Sequence, residues 1–282
     1  MSEQLKTIYL ESCLEELQVN KPGNHSLNSK IMGMYSEKFL LVSQISARFL
    51  VKENLSLGEM IFYSTKKCID SINSNYNLGI ILLCAPLMKA LLKKPINLRK
   101  ELKKVVENAG VLECSLIIDA IKYANPGGLK KYKGDSNVLD RKQEKKKIHE
   151  IMLISSSWDR ISKCYVNNYS EIFDFGLPFF NNLKKKVSKE KAIQMLYLKY
   201  ASKSPDSHLL RKFGSCKANA VMKMFKILSL QIFRNPNKNF DYQIGLLDTY
   251  LKNFNYNPGT CADLTVTTLL IDKIKDIFKI RL

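Results

Sequence analysis

The chain has 282 residues, and 45 lysines and arginines against 26 aspartates and glutamates leave it a formal charge of +19. Hydrophobic residues at 45% and charged residues at 25% are ordinary globular fractions, which excludes a disordered tail, a collagen-like chain or a low-complexity chain. The cations are 38 lysines and only 7 arginines, whereas base readout and bidentate phosphate gripping favour arginine. This weakens a nucleic-acid reading: a largely solvated lysine surface is expected, with a polyanionic partner, which includes a phosphorylated small molecule, as the competing reading.

Glycine (12) and proline (8) make up about 7% of the chain, against about 12% in average usage, so long elements with few turns are expected. Near the start, Leu10, Cys13, Leu14 and Leu17 recur at helical steps and predict a helix over 3–19. The same pattern predicts helices over 36–53, 57–74, 77–94, 97–108, 112–125, 140–154 and 156–173. It continues over 189–203, 206–212, 214–233, 240–253 and 260–279, most clearly in Ala218, Val221, Met222, Phe225, Leu228 and Ile232. Ser56-Leu-Gly-Glu59 and Thr260-Cys-Ala-Asp263 have the shape of capping boxes, and Ser204-Pro205 places a capping hydroxyl before a proline at a helix start. Loops are expected at Asn20–Tyr35, Asn125–Leu139, Gly176–Ser188 and Asn235–Asn239. No strand pattern, internal repeat or flexible linker is seen. The expected architecture is all-α, one compact bundle of about a dozen helices over residues 1–282.

Seven cysteines with no Cys-x-x-Cys pair argue against disulfides and a zinc site. The N-terminus lacks an apolar run, and the longest uncharged one, Leu78 to Met88, is too short to span a bilayer. A soluble protein in the reducing cytoplasm, with no membrane contact, is expected. Lysine runs at Lys130–Lys133, Lys145–Lys147 and Lys184–Lys186 read as solvated faces.

Four polar segments stand out between apolar helices: Asn20-Lys-Pro-Gly-Asn24, Asn75-Tyr-Asn-Leu-Gly79, the stretch Ser204 to Gly214, and Asn257-Pro-Gly-Thr-Cys-Ala-Asp263. Each is read as a turn feeding a helix start, where free N–H groups and the positive dipole end favour an anion such as phosphate. The competing reading makes each a turn with its own cap: Asp263 completing a capping box, Asp206 sitting in a first turn, Lys21 solvated.

Taken in order, these segments resemble the triphosphoribosyl-dephospho-CoA synthase family, and within it a methylotroph-type branch. The resemblance is carried by Lys21-Pro-Gly-Asn24, Asn77 to Pro86, Asp119-Ala120 leading to Pro126-Gly-Gly-Leu129, and Asp159 with Ile161 and Tyr165. It continues through Pro205-Asp-Ser-His208 with Arg211, Lys212 and Gly214, and Asn257-Pro-Gly-Thr260 with Ala262-Asp-Leu264. It implies an all-α fold and a ribosyl transfer: a hydroxyl of dephospho-CoA attacks the anomeric carbon of ATP, adenine leaves, and the triphosphate stays on the transferred sugar. Such chemistry needs a carboxylate beside an oxocarbenium-like centre, Mg²⁺ and cations on the triphosphate, and a general base.

The candidates that follow are Lys21, Arg211 and Lys212 as triphosphate grips, with Asn24, Asn77 and Asn257 as polar contacts to the nucleotide or Mg²⁺. Asp159, Asp206 and Asp263 are the candidate catalytic carboxylates and metal ligands, with Asp135 a weaker one, and His208 is a candidate contact to the leaving base or a phosphate. Where the citrate-lyase and malonate-decarboxylase accessory enzymes carry Asn-Thr-His-Lys-Gly, this chain has Asn75-Tyr-Asn-Leu-Gly79; Gly33-Met34 stands at their Asp-Met pair, and Met32 replaces the branch's preceding histidine. The acceptor the resemblance implies is dephospho-CoA or a related precursor, and these departures point to a different substrate. A tetrahydromethanopterin-linked one-carbon cofactor precursor is the alternative, and a non-catalytic polyanion-binding helical protein a further one.

Overall fold

A computed structural model of the chain describes residues 1–129, 137, 139 and 145–282. Lys130–Lys133, Asp135 and the first residues of the helix expected over 140–154 lie outside the described residues. Fourteen α-helices are present among the described residues, with no strand. They are α1 (Ser2–Gln18), α2 (Ser36–Leu50), α3 (Leu57–Ile72), α4 (Leu78–Leu92), α5 (Leu98–Asn108), α6 (Val111–Ala124) and α7 (Ile148–Ser155). There follow α8 (Arg160–Val166), a π-helical turn (Glu171–Gly176), α9 (Leu177–Leu183), α10 (Lys189–Lys203), α11 (Ser207–Phe213), α12 (Ser215–Arg234), α13 (Asp241–Asn253) and α14 (Gly259–Phe278). The all-α class is confirmed, and no helix among the described residues is long and apolar enough to cross a membrane. All seven cysteines are free thiols.

Two helices form the axis of the core. In α4, 13 of 15 residues are buried; a helix apolar on every side has no face to offer water and is driven to the centre. It packs against α14, whose Thr265, Thr267 and Thr268 bury their hydroxyls by donating back to the carbonyls of Cys261, Asp263 and Leu264. Helices α1, α2, α3 and α5 pack against this pair, as do α8, α9 and α10 with the π turn.

Pro86 lies inside α4, where its missing N–H leaves the Leu82 carbonyl without its helical donor. The fold repairs this from outside the helix. The Tyr165 hydroxyl donates to the Leu82 carbonyl at 2.6 Å, and the Tyr169 hydroxyl to the Leu83 carbonyl at 3.0 Å. Tyr165→Phe is expected to strand a buried carbonyl and to cost about 1–3 kcal/mol in denaturant unfolding.

Five local expectations need correction. The helix expected over 156–173 breaks after Val166, because Asn168 and Tyr169 take left-handed φ of 54° and 57°; α8 and the π turn replace it. The loop expected over 176–188 contains α9, whose first turn holds Pro178, a position proline favours. The capping box at Ser56–Glu59 is formed, but Thr260–Asp263 is not one: α14 begins at Gly259 with no side-chain cap, leaving Asp263 in the second turn. Ser204 closes α10, and Asp206 caps α11 in its place. The Asn20–Asn24 segment runs into an extended loop rather than a helix, since α2 starts only at Ser36.

Candidate active site

Three helix starts, those of α8, α11 and α14, are stitched together by their capping groups. Asp159 caps α8, its Oδ1 accepting from the Ser162 N–H at 2.9 Å and its Oδ2 from Arg211 Nη1 at 2.7 Å. Asp206 caps α11 through the N–H groups of His208 and Leu209 at 2.8 and 3.2 Å, and its other oxygen accepts from the Cys261 N–H of α14 at 2.9 Å. Ser207 Oγ accepts from the Arg160 N–H at 2.8 Å. Beneath them, buried Arg160 pairs with Glu171 of the π turn through Nη2 at 2.7 Å and Nε at 3.3 Å, and its Nη1 reaches Cys261 Sγ at 3.1 Å. Burial alone would raise Glu171, but the Arg160 charge and hydrogen bonds hold it below the usual carboxylate range.

Beside this platform lies a cavity of about 1200 Å³. Helices α6 and α7 give it an apolar wall that includes Ile117, Ile121 and Ile151, continued by Trp158, the chain's one tryptophan. The opposite wall is polar and comes from the ends of the sequence and from α11 and α14. There Asn24 Nδ2 donates to Asn257 Oδ1 at 2.7 Å, joining segments 233 residues apart. His208 points into the cavity between Gly127 and Gly259, and its ring makes no hydrogen bond among the described residues. Burial, then the charges of Arg211 and Lys212, hold its pKa below the ordinary value despite Asp206. Gly128, at φ 87°, lies so close to the Arg211 backbone that any side chain would collide with it.

Asp263 is the most exceptional group on this wall. Its carboxylate rests on Gly79 at the start of α4, where a Cβ would run into it, and it accepts no hydrogen bond among the described residues. Burial pushes its pKa well above the usual range, the charges of Asp206, Glu16 and Asp159 add to this, and Arg211 only partly opposes it. Glu16 of α1 also lines the cavity, is 3% exposed, and is raised by burial against the opposing charge of Lys21.

A family model for CitG, ATP:dephospho-CoA triphosphoribosyl transferase, matches residues 2–281. The chain belongs to this family. It is therefore an enzyme, a transferase of the triphosphoribosyl class. Its fold is similar to a crystal structure from Archaeoglobus fulgidus described as a candidate triphosphoribosyl-dephospho-CoA synthase. The likeness has a TM-score of 0.64 at 19% identity and covers 82% of this chain and 97% of that one. No protein of curated function matches the chain.

Of the residues singled out in this triphosphoribosyl transferase from its sequence, the structure brings Asn24, Asp159, His208, Arg211, Lys212, Asn257 and Asp263 to the one cavity. Lys21, Asn77 and Asp206 lie behind its wall. The Lys21 ammonium is buried against Glu16, Oε1 at 3.1 Å, and donates to the carbonyls of Glu16 and Val19 at 2.5 and 3.1 Å. The Asn77 amide points into the core, toward the Val42 carbonyl and Ser46 Oγ, each at 3.3 Å. Asp206 has both oxygens committed to backbone N–H groups. Among the described residues no cluster of three or more His, Cys, Asp or Glu side chains is disposed to hold a metal ion.

Sequence reasoning missed Glu16, Trp158 and the Arg160–Glu171 pair. Glu16 had a readable signal: it falls on the buried stripe Leu5, Ile8, Tyr9, Ser12, Cys13, Glu16, Leu17 of α1, a core position where a charge needs a reason.

Proposed function

We propose that ATP and the acceptor meet in this cavity, and that the 5-triphosphoribosyl group passes there to a hydroxyl of dephospho-CoA or a related precursor with release of adenine. The observation that carries this reading is Asp263: a carboxylate with no hydrogen-bond donor and three carboxylates acting on it gains most from a positive neighbour. A ribosyl centre that becomes cationic as its bond to adenine breaks is such a neighbour. Arg211, oriented by Asp159, and Lys212 face the triphosphate, and the Asn24–Asn257 pair supplies neutral polar contacts. His208, kept neutral by its surroundings, is positioned to hydrogen-bond the leaving base or a phosphate. The apolar wall with Trp158 takes a flat base and excludes water from the reacting centre.

Mg²⁺ binds through one or two carboxylates plus substrate phosphates, and the donor set fits that mode with Asp263 as the protein ligand. When bound, the ion would neutralise phosphate charge. Asp159 and Asp206 serve as scaffold in this reading, because their oxygens are committed to the helix starts.

One observation favours the second acceptor class, a one-carbon cofactor precursor: Leu78 lines the cavity where the accessory enzymes carry the lysine of Asn-Thr-His-Lys-Gly, so this wall lacks a cation for an acceptor phosphate. The test is direct. Purified protein with ATP, Mg²⁺ and dephospho-CoA is expected to release adenine, seen by chromatography. Turnover with pterin-type precursors alone assigns the second class, and no turnover with either sinks the reading. The free thiols are consistent with a reducing, cytoplasmic setting.

A further inference from the structure

Resting on the transferase reading above, the inference concerns which group takes the proton when the acceptor hydroxyl attacks. The ionisable groups on the polar wall can be sorted by what already occupies them. Asp159 is bonded to Arg211 and to the Ser162 N–H. His25 also lines the cavity, but its Nδ1 accepts from the Ile31 N–H at 3.2 Å, which fixes the proton on Nε2, and that atom lies 3.0 Å from Ser36 Oγ. Asp263 is the group placed to answer positive charge, and His208, beside Gly127 and Gly259, is the one placed on the leaving base or a phosphate. Glu16 remains.

Glu16 is 3% exposed and still contributes to the cavity lining. Its Oε1 is fully buried and ion-paired with the Lys21 ammonium at 3.1 Å; its Oε2 accepts no hydrogen bond among the described residues and, unlike Oε1, is not fully buried. A buried carboxylate ordinarily spends both oxygens on donors, and one that keeps an oxygen unspent at the wall of a substrate cavity is shaped to receive a proton. Lys21 makes this reversible. Its ammonium is also held by the carbonyls of Glu16 and Val19, so neutralising the carboxylate does not leave a buried cation without acceptors.

We infer that Glu16 is the general base that accepts the proton of the attacking hydroxyl, and that Lys21 is its positioning residue. The balance closes without another reactant. The hydroxyl oxygen bonds to the anomeric carbon, the carbon–nitrogen bond to adenine breaks with its electron pair on adenine, and the hydroxyl proton, received by Glu16, matches the one the departing adenine must gain. Lys21, read from the sequence as a triphosphate grip, thereby has a different task. The charged group acting on Glu16 is Lys21, and the Glu16 charge in turn acts on Asp263, Cys13 and Tyr197 on α14, α1 and α10.

The experiment compares wild type with Glu16→Gln, Glu16→Asp and Glu16→Ala, using ATP, Mg²⁺ and dephospho-CoA with adenine release as the assay. Loss of a general base is expected to lower kcat about 10²–10⁴-fold, with the ATP KM changed less than about threefold. Glu16→Asp keeps the charge opposite Lys21 and so keeps the fold while withdrawing the carboxylate; it should lose kcat at an unchanged melting temperature. Added formate should partly restore Glu16→Ala, which a purely structural glutamate would not show. Near-wild-type kcat in folded Glu16→Asp and Glu16→Gln, or losses that formate leaves untouched, overturn the role alone. A wild type that releases no adenine with any acceptor overturns the transferase reading and this role together.

Discussion

Asp263→Asn is expected to abolish transfer while making the protein more stable. On the proposed reading the activity loss follows from the site: removing the carboxylate assigned to the cationic ribosyl centre should cost at least 10²–10³-fold in kcat. The stability gain follows from linkage. In the folded protein the carboxyl pKa is well above its ordinary value, chiefly through burial and then through Asp206, Glu16 and Asp159. The unfolded chain ionises near its usual pKa of about 3.9. Between those two values the native state holds the extra proton, so native stability falls as pH rises through that window. Asparagine removes the titration. In melts without nucleotide or divalent ion, the variant should match wild type below about pH 4 and exceed it at neutral pH by about 1 kcal/mol, or roughly 2–4 °C. A helical protein that merely held polyanions would keep or strengthen binding on the same substitution, so retained adenine release alongside unchanged melts would sink the catalytic assignment.

That expectation depends on a feature the sequence shows only in part. The helices are legible because their buried stripes recur at three and four residues, and Lys189–Lys203 agrees with its observed bounds. Asp263 is legible as a polar residue beside a Pro-Gly turn, yet the spacing Thr260-x-x-Asp263 equally describes a cap. Only the observed start of α14 at Gly259 removes that alternative. Asp206 shows the converse. It occupies the same kind of segment, but its second oxygen is claimed by the Cys261 N–H, 55 residues away, a contact no local pattern encodes. Lys21 fails as a local reading for the same reason: whether a lysine after a helix meets solvent, a phosphate or a buried glutamate depends on which elements close over it. The 1200 Å³ cavity is a property of helices meeting at their ends, whereas sequence periodicity reports their faces.

The second large effect concerns how those ends are held. Arg160→Met is expected to destabilise the protein by about 3–5 kcal/mol, because it leaves Glu171 a buried carboxylate without its paired cation, with only the charges of Lys203 and Lys163 acting on it. Both partners are 8% exposed or less, and their bidentate contact carries the π turn against α8. The loss should show as a lower denaturant midpoint. Adding Glu171→Leu should recover most of it, since two apolar side chains of similar volume replace a charged pair whose desolvation had cancelled much of its attraction. A double-mutant cycle therefore separates the pair's worth to folding from its worth to function. Arg160 also donates its backbone N–H to Ser207 and its Nη1 to the Cys261 thiol. The backbone bond survives in the double variant and the thiol contact does not. The double variant is therefore expected to fold with near-wild-type stability but to bind ATP more weakly, because the start of α14, which carries Asp263, has lost one of its ties to α8, and Arg211 takes its orientation from Asp159 at the start of that helix. If the double variant instead transfers at the wild-type rate and ATP KM, the pair serves folding alone, and the Asp206–Cys261 and Ser207–Arg160 backbone bonds are sufficient to hold the three helix starts in register.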